Sequence, residues 1–292
     1  MDRATRAVLQ TAVEASLGRG ARIESAAAVR GGCIHACYCV TAGAARVFVK
    51  VNAPDYGDAF AAEADGLAAL RAAGMRAPEP LAQGAGAGGA FLALEWLELG
   101  GREDFAALGR ALAALHRATD ARFGWHRDNY LGATPQRNAE SADWIVFWRE
   151  QRLAPQLALA EAHGHGSALR ADLEALMDGL PAMFRGYAPR ASLLHGDLWQ
   201  GNAGFLADAT PVVFDPAVYR GDREADIAMT ELFGGFAPSF YAAYEEVWPL
   251  DPGYRTRKHL YNLYHLLNHL NLFGGGYLGQ ARATLGLLLR GL

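Results

Sequence analysis

The apolar residues of this 292-residue chain change their spacing at Gly100-Gly101. Before that pair they fall into short runs of β-branched, aromatic and small residues, at 21–29, 33–41, 45–51 and 90–94. Turn signals at Gly31-Gly32, Ala42-Gly43 and 84–89 separate the runs, which predicts a β-meander. Two helices interrupt it. Residues 2–17 carry a stripe of Val8, Leu9, Val13 and Leu17; residues 58–73 bury Phe60, Leu67 and Leu70 and stop at Gly74. Beyond Gly101 helical spacing takes over, at 105–119, 144–161, 169–184, 223–233, 239–247, 254–272 and 278–289. The expected fold is α+β and two-lobed: a small β-rich lobe over 1–97 and a larger, mainly helical lobe over 98–292.

Charge and composition exclude several classes of function. A formal net charge of −4 argues against nucleic-acid binding by bulk electrostatics. No apolar run is long enough to span a membrane, and the first 18 residues lack the apolar core of a signal peptide, so no membrane partner and a cytoplasmic location are expected. Cys33, Cys37 and Cys39 are too few and too clustered for a disulfide framework. On a strand, side chains two apart stand roughly 6–7 Å apart, too spread to converge with His35 on one zinc ion. Of the 27 basic residues only Lys50 and Lys258 are lysines. A chain with so strong an arginine habit needs a specific reason for a lysine.

The densest chemistry lies in His195-Gly-Asp-Leu-Trp-Gln-Gly-Asn202 and, after it, Val212-Val-Phe-Asp-Pro-Ala217. His-x-Asp-Leu-x-x-x-Asn is the spacing of a kinase catalytic loop, in which the aspartate takes the proton of the attacking hydroxyl and the asparagine binds Mg²⁺. Asp215, at the end of an apolar run, is placed to hold the metal on the nucleotide phosphates. Lys50 ends the run Val47-Phe-Val-Lys50, and a compact ammonium suits phosphate oxygens in a narrow space. Glu63, on the next helix, is its expected ion-pair partner, with Glu103 and Asp104 as alternatives. Gly31-Gly32 is a candidate phosphate-binding turn.

These blocks, together with Phe48-Val-Lys-Val-Asn52, Phe123-Gly-Trp-His-Arg-Asp-Asn129, Phe214-Asp-Pro-Ala-Val-Tyr219, Gly221-Asp-Arg-Glu-Ala-Asp226 and Tyr261-Asn-Leu-Tyr-His-Leu-Leu-Asn-His269, resemble the fructosamine/ketosamine-3-kinase family. That family is related to the aminoglycoside phosphotransferases and has a protein-kinase-like fold. The resemblance runs from about Ile23 to Leu278. It implies Asp197 as general base, Asn202 and Asp215 as Mg²⁺ ligands, Lys50 and Glu63 as the phosphate-positioning pair, and the backbone of Glu95-Trp96-Leu97 as the adenine contact. It implies that Asp226 braces the catalytic loop. ATP is the implied phosphoryl donor, and a ketoamine on a small amine or a protein lysine the acceptor, phosphorylated at its 3-hydroxyl in deglycation repair. Trp199 is a candidate sugar contact; His126, Arg127, Asp128, His265 and His269 are further candidate substrate contacts. Cys33 is a candidate redox site in an otherwise monomeric protein, able to link two copies. Two alternatives stand beside this reading: a kinase for an aminoglycoside or choline, and a nucleotide-binding module without catalysis.

Overall fold

The computed structural model describes residues 1–29 and 34–292. The chain divides into two compact units, Met1–Glu103 with Gly204–Asp215, and Asp104–Ala203 with Pro216–Leu292.

In the first unit α1 (Arg3–Leu17) starts at Asp2, whose carboxylate accepts the Thr5 N–H at 2.8 Å. Strands β1 (Ser25–Val29), β2 (Ala36–Ala42) and β3 (Ala45–Asn52) follow, then α2 (Gly57–Ala72), β4 (Pro80–Gly86) and β5 (Gly89–Glu95). Among the described residues these strands form one antiparallel sheet in the order β1-β2-β3-β5-β4. Alternation across β3 then sorts its side chains by face. Val47, Val49 and Val51 join Val40, Phe91 and Ala93 in a core with Val8, Leu9, Ala12 and Val13 of α1. Phe48 and Lys50 take the opposite face.

Leu17, expected in the α1 stripe, is 40% exposed, and Ala12 is buried in its place. Each four-residue step turns a helix about 40° past a full circle, so from Leu9 through Val13 the row has left the core face by Leu17. The Gly100-Gly101 pair meets the hairpin that the chain adds at 204–215: both N–H groups donate to the Phe205 carbonyl at 3.1 Å. A Cβ on Gly101 would lie 1.6 Å from the Leu206 oxygen, so only glycine fits there.

The second unit is mainly helical: α3 (Phe105–His116), α4 (Trp144–Trp148), α5 (Ala154–Ala162), α6 (Gly166–Met183), α7 (Glu224–Leu232), α8 (Pro238–Val247), α9 (Tyr254–Phe273) and α10 (Leu278–Arg290). A short antiparallel sheet, Tyr219–Gly221 beside Ala191–Leu194 beside Thr119–Asp120, feeds the catalytic-loop stretch. The sequence predicts one helix over 144–161. Instead a π-helical turn, Arg149–Leu153, separates α4 from α5. Its extra residue turns Arg152 fully inward, with its guanidinium 4.1 Å from the Tyr219 ring and 4.7 Å from that of Phe147. No helix among the described residues is long and apolar enough to cross a membrane.

Helices α3 and α8 cross at Gly109, where a Cβ would stand 2.3 Å from the Phe240 carbonyl oxygen. Helix propensity alone says Gly109→Ala stabilises by about 1 kcal/mol. Overpacking against backbone opposes it with about 1–3 kcal/mol or more. The expected result of chemical denaturation is therefore net destabilisation; a more stable variant would show that the crossing is loose.

Candidate active site

In the first unit β3 carries Lys50 to the open face of the sheet, where its side chain is 4% exposed. Its ammonium donates to Glu63 Oε1 of α2 at 2.7 Å and to Asp215 Oδ1 at 2.6 Å. Burial by itself would lower the Lys50 pKa, but the two carboxylates outweigh it and hold the ammonium charged above its ordinary value. Of the three carboxylates that the sequence offers Lys50, Glu63 is thus a partner; Asp104, with Glu103 an alternative, caps α3 by accepting the Ala107 N–H at 2.9 Å. The Asp215 contact links positions 165 apart in sequence. Asp215 has φ 56°, a left-handed conformation unusual outside glycine. Such geometry costs about 1–2 kcal/mol and marks positions that the surrounding structure forces. The strand before it, Pro211–Val213, is anchored by the Val213 N–H on the Arg76 carbonyl at 3.0 Å.

At the end of β5, Glu95 turns its carboxylate onto Arg76, with contacts of 2.5 and 2.8 Å, and those bonds hold its carboxyl below the usual range. Its N–H is engaged by the Glu79 carbonyl at 2.9 Å. Trp96 Nε1 donates to Glu98 Oε1 at 2.9 Å, and the Arg46 guanidinium lies 4.4 Å over its ring. His35 packs on Phe60, 4.8 Å between ring centres, with Nδ1 2.9 Å from the Asn52 amide. Burial pushes its pKa down to about 4, so the neutral ring accepts from Asn52. Gly31, Gly32 and Cys33, with the dimer contact expected through Cys33, lie outside the described residues.

In the second unit the buried strand Ala191–Leu194 runs into His195-Gly196-Asp197. Gly196 has φ 82°, and a Cβ there would lie 2.0 Å from the Ala217 carbonyl oxygen. Asp226 of α7, 1% exposed, accepts the N–H groups of His195 at 2.7 Å and Gly196 at 2.8 Å. His116 Nε2 adds a third contact, 3.1 Å from Oδ2, and Tyr244 fixes the other ring nitrogen at 2.8 Å. Burial would raise the Asp226 pKa; these bonds, with nearby imidazole charge, reverse the sign and hold it below its ordinary value. The Asp197 N–H donates to His195 Nδ1 at 3.2 Å. The Asn202 amide nitrogen donates to Asp197 O at 2.8 Å and Oδ2 at 3.2 Å. No described residue hydrogen-bonds the Asn202 amide oxygen. That oxygen in the second unit and the Asp215 carboxylate in the first, each taken by itself, are hard donors of the kind Mg²⁺ accepts. Among the described residues no cluster of three or more His, Cys, Asp or Glu side chains forms a metal cage.

Trp199 is 37% exposed and lies edge-on to Phe233, 6.2 Å between centres. Gly201 makes room for the indole, because a Cβ there would fall 2.4 Å from the ring. Phe233 continues the row to His269 at 4.8 Å. Of the two candidate histidines on α9, His269 therefore reaches the aromatic row. His265 is 5% exposed, pushed by burial to about 3, with no hydrogen bond to Nδ1. His126 and Asp128 are exposed, and Asp128 Oδ1 accepts the Asn138 N–H at 2.7 Å. Asn138 also donates to the Arg127 carbonyl at 3.1 Å and is itself held by Arg152 at 2.8 Å. This Asn138–Arg152 brace has no signature in the sequence, since it depends on the π-helical turn. The Gly221–Asp226 block does have one. Asp222 accepts the hydroxyls of Tyr187 at 2.8 Å and Tyr261 at 2.6 Å, and Glu224 takes two contacts from Arg257, at 2.7 and 2.9 Å.

A fructosamine kinase family model matches residues 5–291. A probable ketoamine kinase of Synechocystis sp. is 44% identical over 282 residues, covering 95% of each chain. The crystal structure of a candidate fructosamine-3-kinase of Haemophilus somnus superposes with TM-score 0.89 at 29% identity, over 97% of each chain. The choline kinase LicA of Streptococcus pneumoniae, at TM-score 0.67, 12% identity and 99% coverage of each chain, shares the fold alone.

Replacing Asp226 with asparagine leaves at most one acceptor for two loop N–H groups and turns an N–H toward one of them. Loss of a buried, multiply bonded carboxylate costs about 3–5 kcal/mol. A depressed folded pKa means that its stabilisation is complete above the unfolded value, near 3.8, and is lost as pH falls below it through the folded pKa. Asp226→Asn is expected to unfold earlier in urea at pH 7 and to lose less stability than wild type over the acid window; equal acid slopes would contradict the assignment.

Proposed function

Because the chain belongs to the fructosamine kinase family, we propose that it transfers the γ-phosphoryl group of ATP to the 3-hydroxyl of a ketoamine. Asp197 carries this reading. It stands on a loop whose backbone is fixed by Asp226, with Asn202 holding its carbonyl and touching its carboxylate. The 3-hydroxyl oxygen attacks the γ-phosphorus, its proton passes to the Asp197 carboxylate, and the bond to the β–γ bridging oxygen breaks to release ADP. We assign Lys50, oriented by Glu63, to the α- and β-phosphates, and Asn202 and Asp215 to Mg²⁺. When bound, that ion neutralises charge on the phosphoryl oxygens. The backbone of residues 95–97 is assigned to adenine; the Glu95 N–H, engaged by the Glu79 carbonyl, is not part of that contact.

The acceptor is a sugar-derived 1-amino-1-deoxy-2-ketose, a fructosamine or ribulosamine. The exposed Trp199 ring, continued by Phe233 and His269, offers a sugar an apolar face. Enolisation of the C2 carbonyl toward C1 makes the C3 phosphate allylic. Elimination of phosphate then yields an unsaturated product whose hydrolysis frees the amine, which is deglycation.

ADP release is expected with a fructosyl-amine and ATP, and not with plain lysine, fructose, an aminoglycoside or choline. Turnover of choline or an aminoglycoside in preference to the ketoamine would refute the assignment. Asp197→Asn is expected to lower kcat by at least about a hundredfold while nucleotide binding persists; undiminished turnover would remove Asp197 as base.

A further inference from the structure

Lys258 is the second of the chain's two lysines, and the reaction above gives it no role. It stands on α9, where its ammonium lies 2.7 Å from Glu231 Oε2. Tyr254, one turn earlier, donates its hydroxyl to Glu231 Oε1 at 2.5 Å. Glu231, with Gly234, Gly235 and Tyr241, lines a shallow, open cavity of about 450 Å³. The two glycines have φ 97° and 74°, and a Cβ on either would meet nothing closer than 3.8 Å, so their backbone leaves open space. Tyr241 is fixed by the Phe236 N–H at 3.1 Å and by Thr230 at 3.2 Å.

This cavity adjoins the catalytic-loop stretch. Gln200, the neighbour of Trp199, donates its side-chain amide to the Gly235 carbonyl. Phe233, which meets the Trp199 ring, directly precedes Gly234. Through Phe233 and Gln200 the cavity borders the Trp199 ring, within reach of an amine attached to a sugar seated on that ring.

Glu231 belongs to the cavity's lining and Lys258 reaches its edge through Glu231, and the chemistry of that pair selects among carriers. Lys258 and Glu231 side chains are 30% and 27% exposed, so both are reachable. One of the three ammonium donors is used on Glu231, and each carboxylate oxygen has one hydrogen bond and capacity for another. The pair is neutral as a unit and exerts little pull on a lone charge. It complements a group that presents ammonium and carboxylate together.

We propose that this cavity holds the amine carrier of the ketoamine, and that Glu231 and Lys258 select a carrier with a free amino-acid head. The carrier's α-ammonium meets Glu231 and its α-carboxylate meets Lys258. A lysine inside a polypeptide has neutral amides at those positions and gains neither contact. The inference rests on the ketoamine reading and names the part of the substrate that reading leaves open.

The test measures kcat/KM on the full chain with ATP and three probes: fructose joined through the ε-nitrogen to free lysine, the same compound with its α-amine acetylated and its carboxyl amidated, and fructosyl-butylamine. Two part-exposed charge contacts are expected to favour the free head over the blocked one by about tenfold, mainly through KM. Glu231→Gln and Lys258→Gln, on different helices, are each expected to lower that ratio to about threefold, and the double variant to about one. Equal kcat/KM for the free and blocked probes in wild type, or an unchanged ratio in both variants, would overturn the carrier assignment while leaving the kinase reading intact. No turnover of any of the three ketoamines would overturn the kinase reading and the assignment together.

Discussion

A buried carboxylate, that of Asp226, fixes the backbone of the turn at His195 and Gly196. Asp226 accepts two consecutive backbone N–H groups, from His195 and Gly196, and a third contact from His116. Three polar partners inside a low-dielectric interior outweigh the cost of burying its charge, which is why its acidity rises rather than falls. The arrangement only works with glycine at 196, because the left-handed turn brings that residue against the Ala217 carbonyl. From there the loop has little freedom. The Ala217 N–H returns to the His195 carbonyl at 2.9 Å, and Asn202 ties the far side to Asp197. Beneath Asp226, the Asp222–Tyr187–Tyr261 and Glu224–Arg257 contacts fix the start of α7 in the same way.

The first unit obeys a different constraint, the alternation of a β-strand. With three valines of β3 committed to α1, the residue between Val49 and Val51 must face away from that core. Lys50 occupies this position, and its burial makes a partner obligatory. It has two, Glu63 and Asp215. The segment Gly204–Asp215 belongs to this unit although the chain on either side of it belongs to the other. Gly101 permits that return by lying flat against the Leu206 backbone.

Much of this was legible in the sequence because it is local or periodic. Short apolar runs gave the strands, helical stripes gave the helices, and the blocks around His195 and Asp215 carried the resemblance to the family whose model matches. Lys50 stood out against the arginine habit of the chain, and Glu63 followed from lying on the next helix. What stayed hidden depends on distant residues meeting. The Lys50–Asp215 contact spans 165 positions, and nothing near His116 announces that it will support Asp226. The π-helical turn at Arg149–Leu153 breaks a stripe that reads as continuous, and only the buried Arg152 explains it. The close approaches at Gly101 and Gly109 look like ordinary glycines until the opposing backbone is in place.

We propose that the loop braced by Asp226 places Asp197 to deprotonate the 3-hydroxyl of a ketoamine as phosphate arrives from ATP. Phosphorus–proton correlation NMR of the reaction, run on a fructosyl-amine and read before elimination proceeds, tests it most directly. A phosphate signal coupled to the proton on C3 of the ketose is expected, formed by wild type and absent with Asp197→Asn. A phosphate on another sugar carbon, or the same product from Asp197→Asn at the wild-type rate, would contradict it.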